Sequence, residues 1–204
     1  MSKTNDPNQK TDFSNAIGDL DIEIESETLK SATDSAILQP LEIKIEKLEG
    51  RQRKIFAKIQ IPYPLEQVWQ VLTDYEGLPE FMPNISQSRR LEHPTGGIRL
   101  EQLRTKSFMG MNFAVRSVID VEENFPHEIH YQLIEGDMKA LSAYWRLKPW
   151  SLSDSKAGIA LIYDFLVLPK PIFPMPLVEH ILSHDIPASM LAIRQRVEEI
   201  YGSK

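Results

Sequence analysis

Apolar and charged residues alternate in two short stretches at positions 41–61. The first, LEIKIEKL, covers residues 41–48, and the second, RKIFAKIQI, covers residues 53–61. Alternation with a period of two is typical of a β-strand that buries one face. The sequence EGRQ between the two stretches is typical of a turn, so the pattern predicts a β-hairpin.

A helical pattern follows the sequence IPYP, which ends the second strand because proline cannot donate to a strand ladder. Pro64 suits the first turn of a helix, where its missing N–H has no cost. Gly77 and Pro79 then favour an end to the helix. Four residues recur at helical spacing and form one apolar face: Leu65, Val68, Trp69 and Leu72.

The alternation returns after residue 84 in a series of stretches that we predict to be strands joined by hairpins, with Gly110 at one hairpin tip. The last of them, GIALIYDFLVL, is apolar on both faces over much of its length, as in a strand covered on both sides. The stretches are 85–92, 98–108, 111–123, 127–136, 141–150 and 158–168.

The C-terminal segment has apolar residues at helical spacing, from Leu177 to Ile200. Pro187 interrupts it, so we expect a kink or a restart of the helix with Asp185 as its cap. Hairpin-connected strands exclude a parallel βαβ sheet and predict an antiparallel α+β domain. This helix is the only predicted element large enough to cover the sheet. A curved sheet around one helix often leaves a space where ligands bind.

Composition narrows the class of protein. Apolar residues make up 42% of the 204 residues and charged residues 25%, as in a soluble globular protein. There is no cysteine, which excludes disulfides, thiolate metal sites and cysteine nucleophiles. No apolar run is long enough to span a bilayer, and the N-terminus lacks the apolar core of a signal peptide. We therefore expect a cytoplasmic protein.

The charge is concentrated in the first 40 residues, which hold eight acids and three lysines; the other 164 residues hold 21 acids and 20 bases. We expect residues 1–40 to be an acidic, disordered arm and residues 41–204 to form a single domain. Because the second part is nearly neutral, no nucleic-acid partner is expected.

The segment from Ile59 to Leu91 resembles the head of the START-like superfamily, which has the helix-grip (SRPBCC) fold. Its closest resemblance is to the polyketide cyclase/dehydrase and coenzyme Q-binding branch, over about 150 residues from roughly Arg53 onward. Residues 41–52 would then add a strand beyond the common core. The residues that carry the resemblance are Pro64, Val68, Trp69, Leu72, Asp74, Tyr75, Leu78, Phe81, Pro83 and Asn84.

The resemblance implies an α+β helix-grip fold: a curved antiparallel sheet around a long C-terminal helix, with a short helix after the first strands. It also implies that a hydrophobic small molecule or lipid, such as an isoprenoid quinone, binds between the sheet and that helix. Function follows from fold only weakly, because this fold serves many unrelated activities.

Three apolar segments occur where a globular protein usually has polar turns: 78–82, 108–111 and 172–177. We interpret them as the mouth of the cavity, with transient contact to a membrane surface as a further expectation. The predicted ligand-binding residues are Trp69, Leu78, Phe81, Met82, Met111, Phe113, Val115, Ser117, Tyr131, Trp145, Tyr163, Phe173, Leu177 and Ile181.

Other residues receive a structural interpretation. His180 and His184 are four apart on a helix, but they do not match the H-E-x-x-H pattern and have no third ligand in view, so no metal site is predicted. Asp74 is expected to end its helix. We expect the charged strand residues to lie on the solvated outer face of the sheet: Arg99, Glu101, Arg104 and Arg116.

The sequence favours a non-enzymatic carrier or chaperone of a hydrophobic ligand, with no cofactor. Two alternatives stay open. One is a cyclase or dehydratase, which would need a proton-transfer group such as Tyr131 or Tyr163 inside the cavity. The other is a protein-interaction module, as in START-like proteins that resemble ribosome-associated toxins. The oligomeric state does not follow from the sequence.

Overall fold

A computed structural model of the chain describes residues 40–153 and 156–202. The acidic arm, apart from Pro40, lies outside the described residues. Eight strands are present among these described residues, and their bounds are β1 Glu42–Lys47, β2 Arg53–Ile61, β3 Ile85–Leu91, β4 Ile98–Phe108, β5 Met111–Asn124, β6 Glu128–Gly136, β7 Met138–Ser153 and β8 Lys156–Pro169. The helices are α1 Leu65–Thr73, α2 Leu78–Phe81, α3 Met175–His180 and α4 Ile186–Tyr201, with a π-helical turn at Ile181–Asp185.

The strands form one antiparallel sheet in the order β1-β2-β8-β7-β6-β5-β4-β3. Strand β1 adds to the edge beside β2, which confirms the predicted hairpin and the extra strand. Strands β7 and β8 are longer than the apolar stretches that predicted them. The register shifts at Val118–Ile119 on β5, and such a bulge bends a strand and increases its twist.

The C-terminal helix runs without a break from α3 through the π-helical turn into α4, and it covers the concave face of the sheet. This is the helix-grip α+β fold. The stripe of Met190, Ile193 and Val197 is almost completely buried against strand residues, which confirms the predicted apolar face of the helix. Burial of such side chains contributes roughly 1.5–3 kcal/mol each.

Two local expectations are corrected by the structure. The segment after α1 is not a plain turn, because Leu78–Phe81 forms one helical turn with Pro79 in it. Of the two alternatives at Pro187, a restart with Asp185 as the cap is not observed, because Asp185 has helical backbone angles and makes no side-chain cap. Pro187 lacks the N–H that would bond to the carbonyl four residues earlier, and the π-helical turn just before it accommodates that loss. The hydroxyl of Ser189 donates to the Asp185 carbonyl at 2.8 Å.

Candidate ligand cavity

A cavity lies between the concave face of the sheet and the α3–α4 helix. Its volume is about 170 Å³. An engineered cavity of about 150 Å³ binds benzene, so this space can admit a ring with a short tail. The structure therefore contains a cavity between the sheet and the C-terminal helix, where the sequence analysis expects one.

The walls come from both layers of the fold and are mostly apolar. Strands β5, β7 and β8 contribute Phe113, Val115, Ile119, Leu141, Ala143, Trp145, Phe165 and Val167. The α3–α4 helix contributes Leu177, Val178, Ile181, Leu182, Ile186 and Ile193, and α1 and α2 contribute Leu72 and Leu78. Apolar walls of this kind bind ligands through burial of hydrocarbon surface.

Most residues predicted to bind the ligand lie in these walls. Alternation along β5 places three of them on the inner face, and the helical stripe places two more opposite. The ones that line the cavity are Leu78, Met82, Phe113, Val115, Ser117, Tyr131, Trp145, Tyr163, Leu177 and Ile181.

Four of the predicted residues lie elsewhere. Trp69 is buried in the core, with the ring of Phe125 packed edge-on at 5.1 Å. Phe81 lies beneath the guanidinium of Arg196, 5.5 Å from its ring centre. Met111 is exposed at the β4–β5 hairpin tip. Phe173 is buried in a second apolar cluster behind the cavity wall. Each is accounted for by packing or position without a ligand.

The three segments interpreted as a mouth do not all meet. Phe108 and Phe173 belong to one apolar cluster with Leu177, so the second and third segments converge. Leu78 and Met82 of the first segment pack instead into the main core, although both also border the cavity. The Phe81 ring lies under Arg196 and outside the walls, although its neighbours Met82 and Pro83 line the cavity.

Two tyrosine hydroxyls lie among the apolar walls. Neither Tyr131 nor Tyr163 forms a side-chain hydrogen bond with another described residue. Tyr163 stacks on Trp145 at 4.1 Å, which fixes the plane of its ring. Burial raises the pKa of Tyr163 to about 12, partly opposed by the charge of Arg104. Burial also raises the pKa of Tyr131. Both phenols therefore stay protonated near neutral pH and can donate a hydrogen bond.

A polar stripe on β4 crosses the cavity side of the sheet, and the sequence analysis missed it. Gln102 is buried and its amide donates to the Ser88 hydroxyl at 3.4 Å. The next inward residue is Arg104, whose guanidinium donates to the Gln102 amide oxygen at 3.3 Å. The expectation of an outer-face position was wrong for Arg104, because strand alternation from the buried Leu100 places it on the cavity side. That alternation was a signal in the sequence, but a weak one, because the apolar Leu103 lies on the opposite face of the strand.

The expectation of an outer-face position is confirmed for the other three charged residues. Arg99 forms a two-pronged hydrogen bond with Asp120, at 2.6 and 2.8 Å. Arg116 bonds to Glu101 at 2.7 Å. These pairs hold neighbouring strands together on the solvent side, and none of them borders the cavity.

A salt bridge fastens the helix over the cavity. The ammonium of Lys106 on β4 lies 2.7 Å from the carboxylate of Asp185, in the π-helical turn, and both side chains are mostly buried. Next to it, the ring of Phe108 packs on His180 at 5.3 Å. The rings of His180 and His184 stack at 4.2 Å. No group of three metal-binding side chains occurs within residues 40–153 and 156–202.

The fold and the cavity together define a helix-grip protein with an apolar internal site. A family model described as polyketide cyclase / dehydrase and lipid transport matches residues 61–190. That span is more than half of the chain, and the chain belongs to this family. The predicted resemblance is confirmed at this level.

Individual relatives are more distant. The ribosome association toxin RatA of Escherichia coli is 26% identical over 105 residues, which cover 52% of this chain and 64% of the toxin. A STAR-related lipid transfer protein from Xanthomonas axonopodis matches in structure with a TM-score of 0.62 and 14% identity, over 82% of this chain and 97% of that one. An aromatase/cyclase from a Streptomyces species matches with a TM-score of 0.55 and 18% identity, over 74% and 97%. At these identities the structural matches establish the fold alone.

Within the part of the chain that the structure describes, no helix is long and apolar enough to cross a bilayer.

Proposed function

We propose that this protein binds a hydrophobic small molecule in the cavity and carries or protects it without changing it chemically. The observation that supports this most directly is the cavity itself. Protein interiors are normally packed as densely as organic crystals, so a void of about 170 Å³ with apolar walls supports a role in binding an apolar ligand. A bound apolar ligand would restore the missing contacts of the wall residues.

Apolar burial alone gives a useful affinity. Each buried methylene contributes about 0.8 kcal/mol, so ten of them would supply roughly 8 kcal/mol before the costs of ordering. A carrier of this kind needs few polar contacts. An isoprenoid quinone fits the proposal, because a ring with a short tail matches the space and a tyrosine hydroxyl can donate to a quinone carbonyl.

The geometry favours binding over catalysis. A cyclase or dehydratase needs a group that exchanges a proton near neutral pH. Among the described wall residues there is no histidine, the one carboxylate belongs to Asp185 and is held by Lys106, and the phenol pKa values are raised. Under the enzymatic alternative, Tyr131→Phe or Tyr163→Phe would abolish turnover of an aromatic or polyketide-like substrate and leave its binding largely intact.

A ribosomal partner is a second candidate, supported by the relatives whose name includes ribosome association. The resemblance covers about half of this chain, and the part beyond residue 40 is nearly neutral in charge. Co-sedimentation of the purified protein with ribosomes at physiological salt tests this candidate. Saturable co-sedimentation by protein that contains no extractable lipid would favour it over the carrier proposal.

Transient contact with a membrane surface would suit a carrier. Met109 and Ile172 are about four-fifths exposed, and each borders a segment that packs into the cluster around Leu177. Large apolar side chains exposed together often mark an interaction site. Sedimentation with phosphatidylcholine vesicles should weaken for the Met109→Ser/Ile172→Ser double variant and stay unchanged for a control at Ile134, an exposed isoleucine on β6. Equal sedimentation of all forms would remove the membrane contact from the proposal.

The carrier proposal is tested by filling the cavity. Val115 lines it from β5, whereas its neighbour Ala114 is exposed. Wild-type protein and Ala114→Trp should bind the neutral fluorescent probe N-phenyl-naphthylamine saturably, and Val115→Trp should bind it at least about tenfold more weakly because an indole occupies the space. Organic extraction and mass spectrometry of freshly purified protein should also yield an apolar compound. Equal binding by all three proteins would refute the proposed site.

A further inference from the structure

The charges around the cavity do not balance. The charged residues among its described walls are Arg104, Lys106 and Asp185. Lys106 and Asp185 neutralise each other at 2.7 Å. Arg104 has no carboxylate partner among residues 40–153 and 156–202, and its guanidinium bonds only to the neutral amide of Gln102 at 3.3 Å. One positive charge at the rim of a mostly apolar space therefore has no carboxylate to compensate it among the described residues.

Two other arginines of the same sheet are paired differently. Arg99 lies on β4 as Arg104 does, Arg116 lies on the neighbouring β5, and each reaches a carboxylate at 2.6 or 2.7 Å. A planar guanidinium is best satisfied by a carboxylate that accepts two parallel hydrogen bonds. The long contact to Gln102 uses little of the capacity of Arg104, which has five N–H donors. Arg104 is thus available to an acceptor that enters the cavity.

Two further donors face the same space. The hydroxyls of Tyr131 and Tyr163 have no hydrogen-bond partner among the described side chains. Burial raises the pKa of both phenols, and the charge of Arg104 opposes part of that rise. Because both residues line the cavity, a ligand or water that enters it can accept a hydrogen bond from these hydroxyls. The guanidinium of arginine can only donate hydrogen bonds, and a protonated phenol donates to an anion. All three groups can therefore donate to one anionic acceptor.

We infer that the cavity takes a ligand with an apolar body and one ionised carboxylate, such as a medium-chain fatty acid, and that Arg104 with the hydroxyls of Tyr131 and Tyr163 binds the carboxylate. This inference rests on the proposed function and specifies the class of ligand. A single negative charge matches the single uncompensated arginine. A phosphate monoester would bring nearly two charges and would leave the excess close to apolar walls, which is costly.

The exposure of Arg104 limits the size of the effect. The residue is at the rim of the cavity, where more than a third of its surface is accessible. Solvent and salt screen a charge in such a position, so the preference for a carboxylate should be at the lower end of the range for charged hydrogen bonds, about tenfold in affinity. Raising the salt concentration should weaken the binding of the anion and leave a neutral ligand unaffected.

The experiment compares decanoate with decanol, which have the same number of carbon atoms and differ in charge. Binding is followed by titration calorimetry at pH 7.5 and by the fluorescence of the three tryptophans, of which Trp145 lines the cavity. The proteins are wild type, Arg104→Gln, Arg104→Lys and the control Arg89→Gln, which removes an exposed arginine from the outer face of β3. Circular dichroism and the unfolding temperature establish that each variant is folded.

Wild type and Arg89→Gln should bind decanoate about tenfold more tightly than decanol. Arg104→Gln should lose this preference while its affinity for decanol stays the same, and Arg104→Lys should keep much of it because the charge remains. Equal affinities of wild type for the two compounds would overturn the inference and leave the carrier proposal intact. Saturable binding of neither compound would count against both. An equal loss of both ligands in Arg104→Gln would assign the residue a structural role and also overturn the inference.

Discussion

Two leucine-to-alanine substitutions can test whether the cavity exists in solution. Leu161 on β8 and Leu177 on α3 are both almost inaccessible to solvent. Leu161 lies between Ile59 and Leu147 on the neighbouring strands, in the filled part of the core. Leu177 packs in the second cluster and borders the cavity on its other side. The two residues thus differ in whether protein surrounds them completely.

The expected costs follow from this difference. A buried leucine makes about 40–60 atomic contacts, and its truncation in a filled core costs roughly 2.7–5.0 kcal/mol, rising by about 24 cal/mol for each Å³ of cavity that remains. For Leu161→Ala we expect about 4 kcal/mol, because strands on both sides prevent collapse. For Leu177→Ala we expect about 2.7 kcal/mol, because part of its surface has no contacts to lose.

Urea unfolding at equilibrium, followed by tryptophan fluorescence, measures both free energies of unfolding. The slope with urea should be the same for both variants and wild type, so that the midpoints report stability. A second measurement uses the ligand: Leu177→Ala enlarges the cavity and should improve binding of a bulkier apolar probe, whereas Leu161→Ala should not. If Leu177→Ala costs as much as Leu161→Ala, or more, the interior is filled around Leu177 and the cavity is not a feature of the protein in solution.

Three other predictions concern the frame around the cavity. In a double-mutant cycle of Lys106→Met and Asp185→Asn, we expect a coupling of about 1–2 kcal/mol in the free energy of unfolding, because the pair is mostly buried. A coupling near zero would show that the salt bridge does not hold the helix to the sheet. Burial lowers the pKa of His130, so the unfolded chain binds more protons than the folded protein near pH 6. The free energy of unfolding should therefore fall as the pH drops below about 6.5. His130→Gln should flatten this pH dependence in urea titrations, and an unchanged pH profile would refute the prediction. Gly136→Ala places a Cβ 2.4 Å from a backbone oxygen at a φ of +147°, and it should lower the free energy of unfolding by more than about 2 kcal/mol. The Cβ of Gly110→Ala meets nothing within 4 Å, so this variant should lose only about 1 kcal/mol in the same assay.

The strand and helix patterns were readable from the sequence because burial repeats with the period of the backbone. Alternation placed Ala143, Trp145 and Leu147 on one buried face of β7, and the spacing of Met190 and Ile193 identified the face of the long helix that meets the sheet. The β7 residues alternate with polar ones, so only one orientation of that strand buries them. The family pattern added the order in which these elements pack.

Orientation failed as a prediction where both faces of a strand carry polar residues. Along β4, Glu101 and Arg104 are both charged, and composition does not say which one faces inward; the pairing of β4 with β3 and β5 decides it. A one-residue change of register would exchange the faces, so the position of Arg104 is a property of the assembled sheet.

The cavity itself depended on tertiary structure in the same way. The cavity exists because the bent sheet and the helix that passes over it do not fit closely together. The register shift in β5 contributes to the shape of the sheet, and the π-helical turn before Pro187 contributes to the shape of the helix. Phe81 shows the consequence: the sequence analysis predicts it to bind the ligand, yet it packs under Arg196 and lies outside the walls. The sequence by itself determined which residues are buried, through their periodicity. Only the packed structure decided which of the buried residues face empty space, because a void is set by how whole layers fit together.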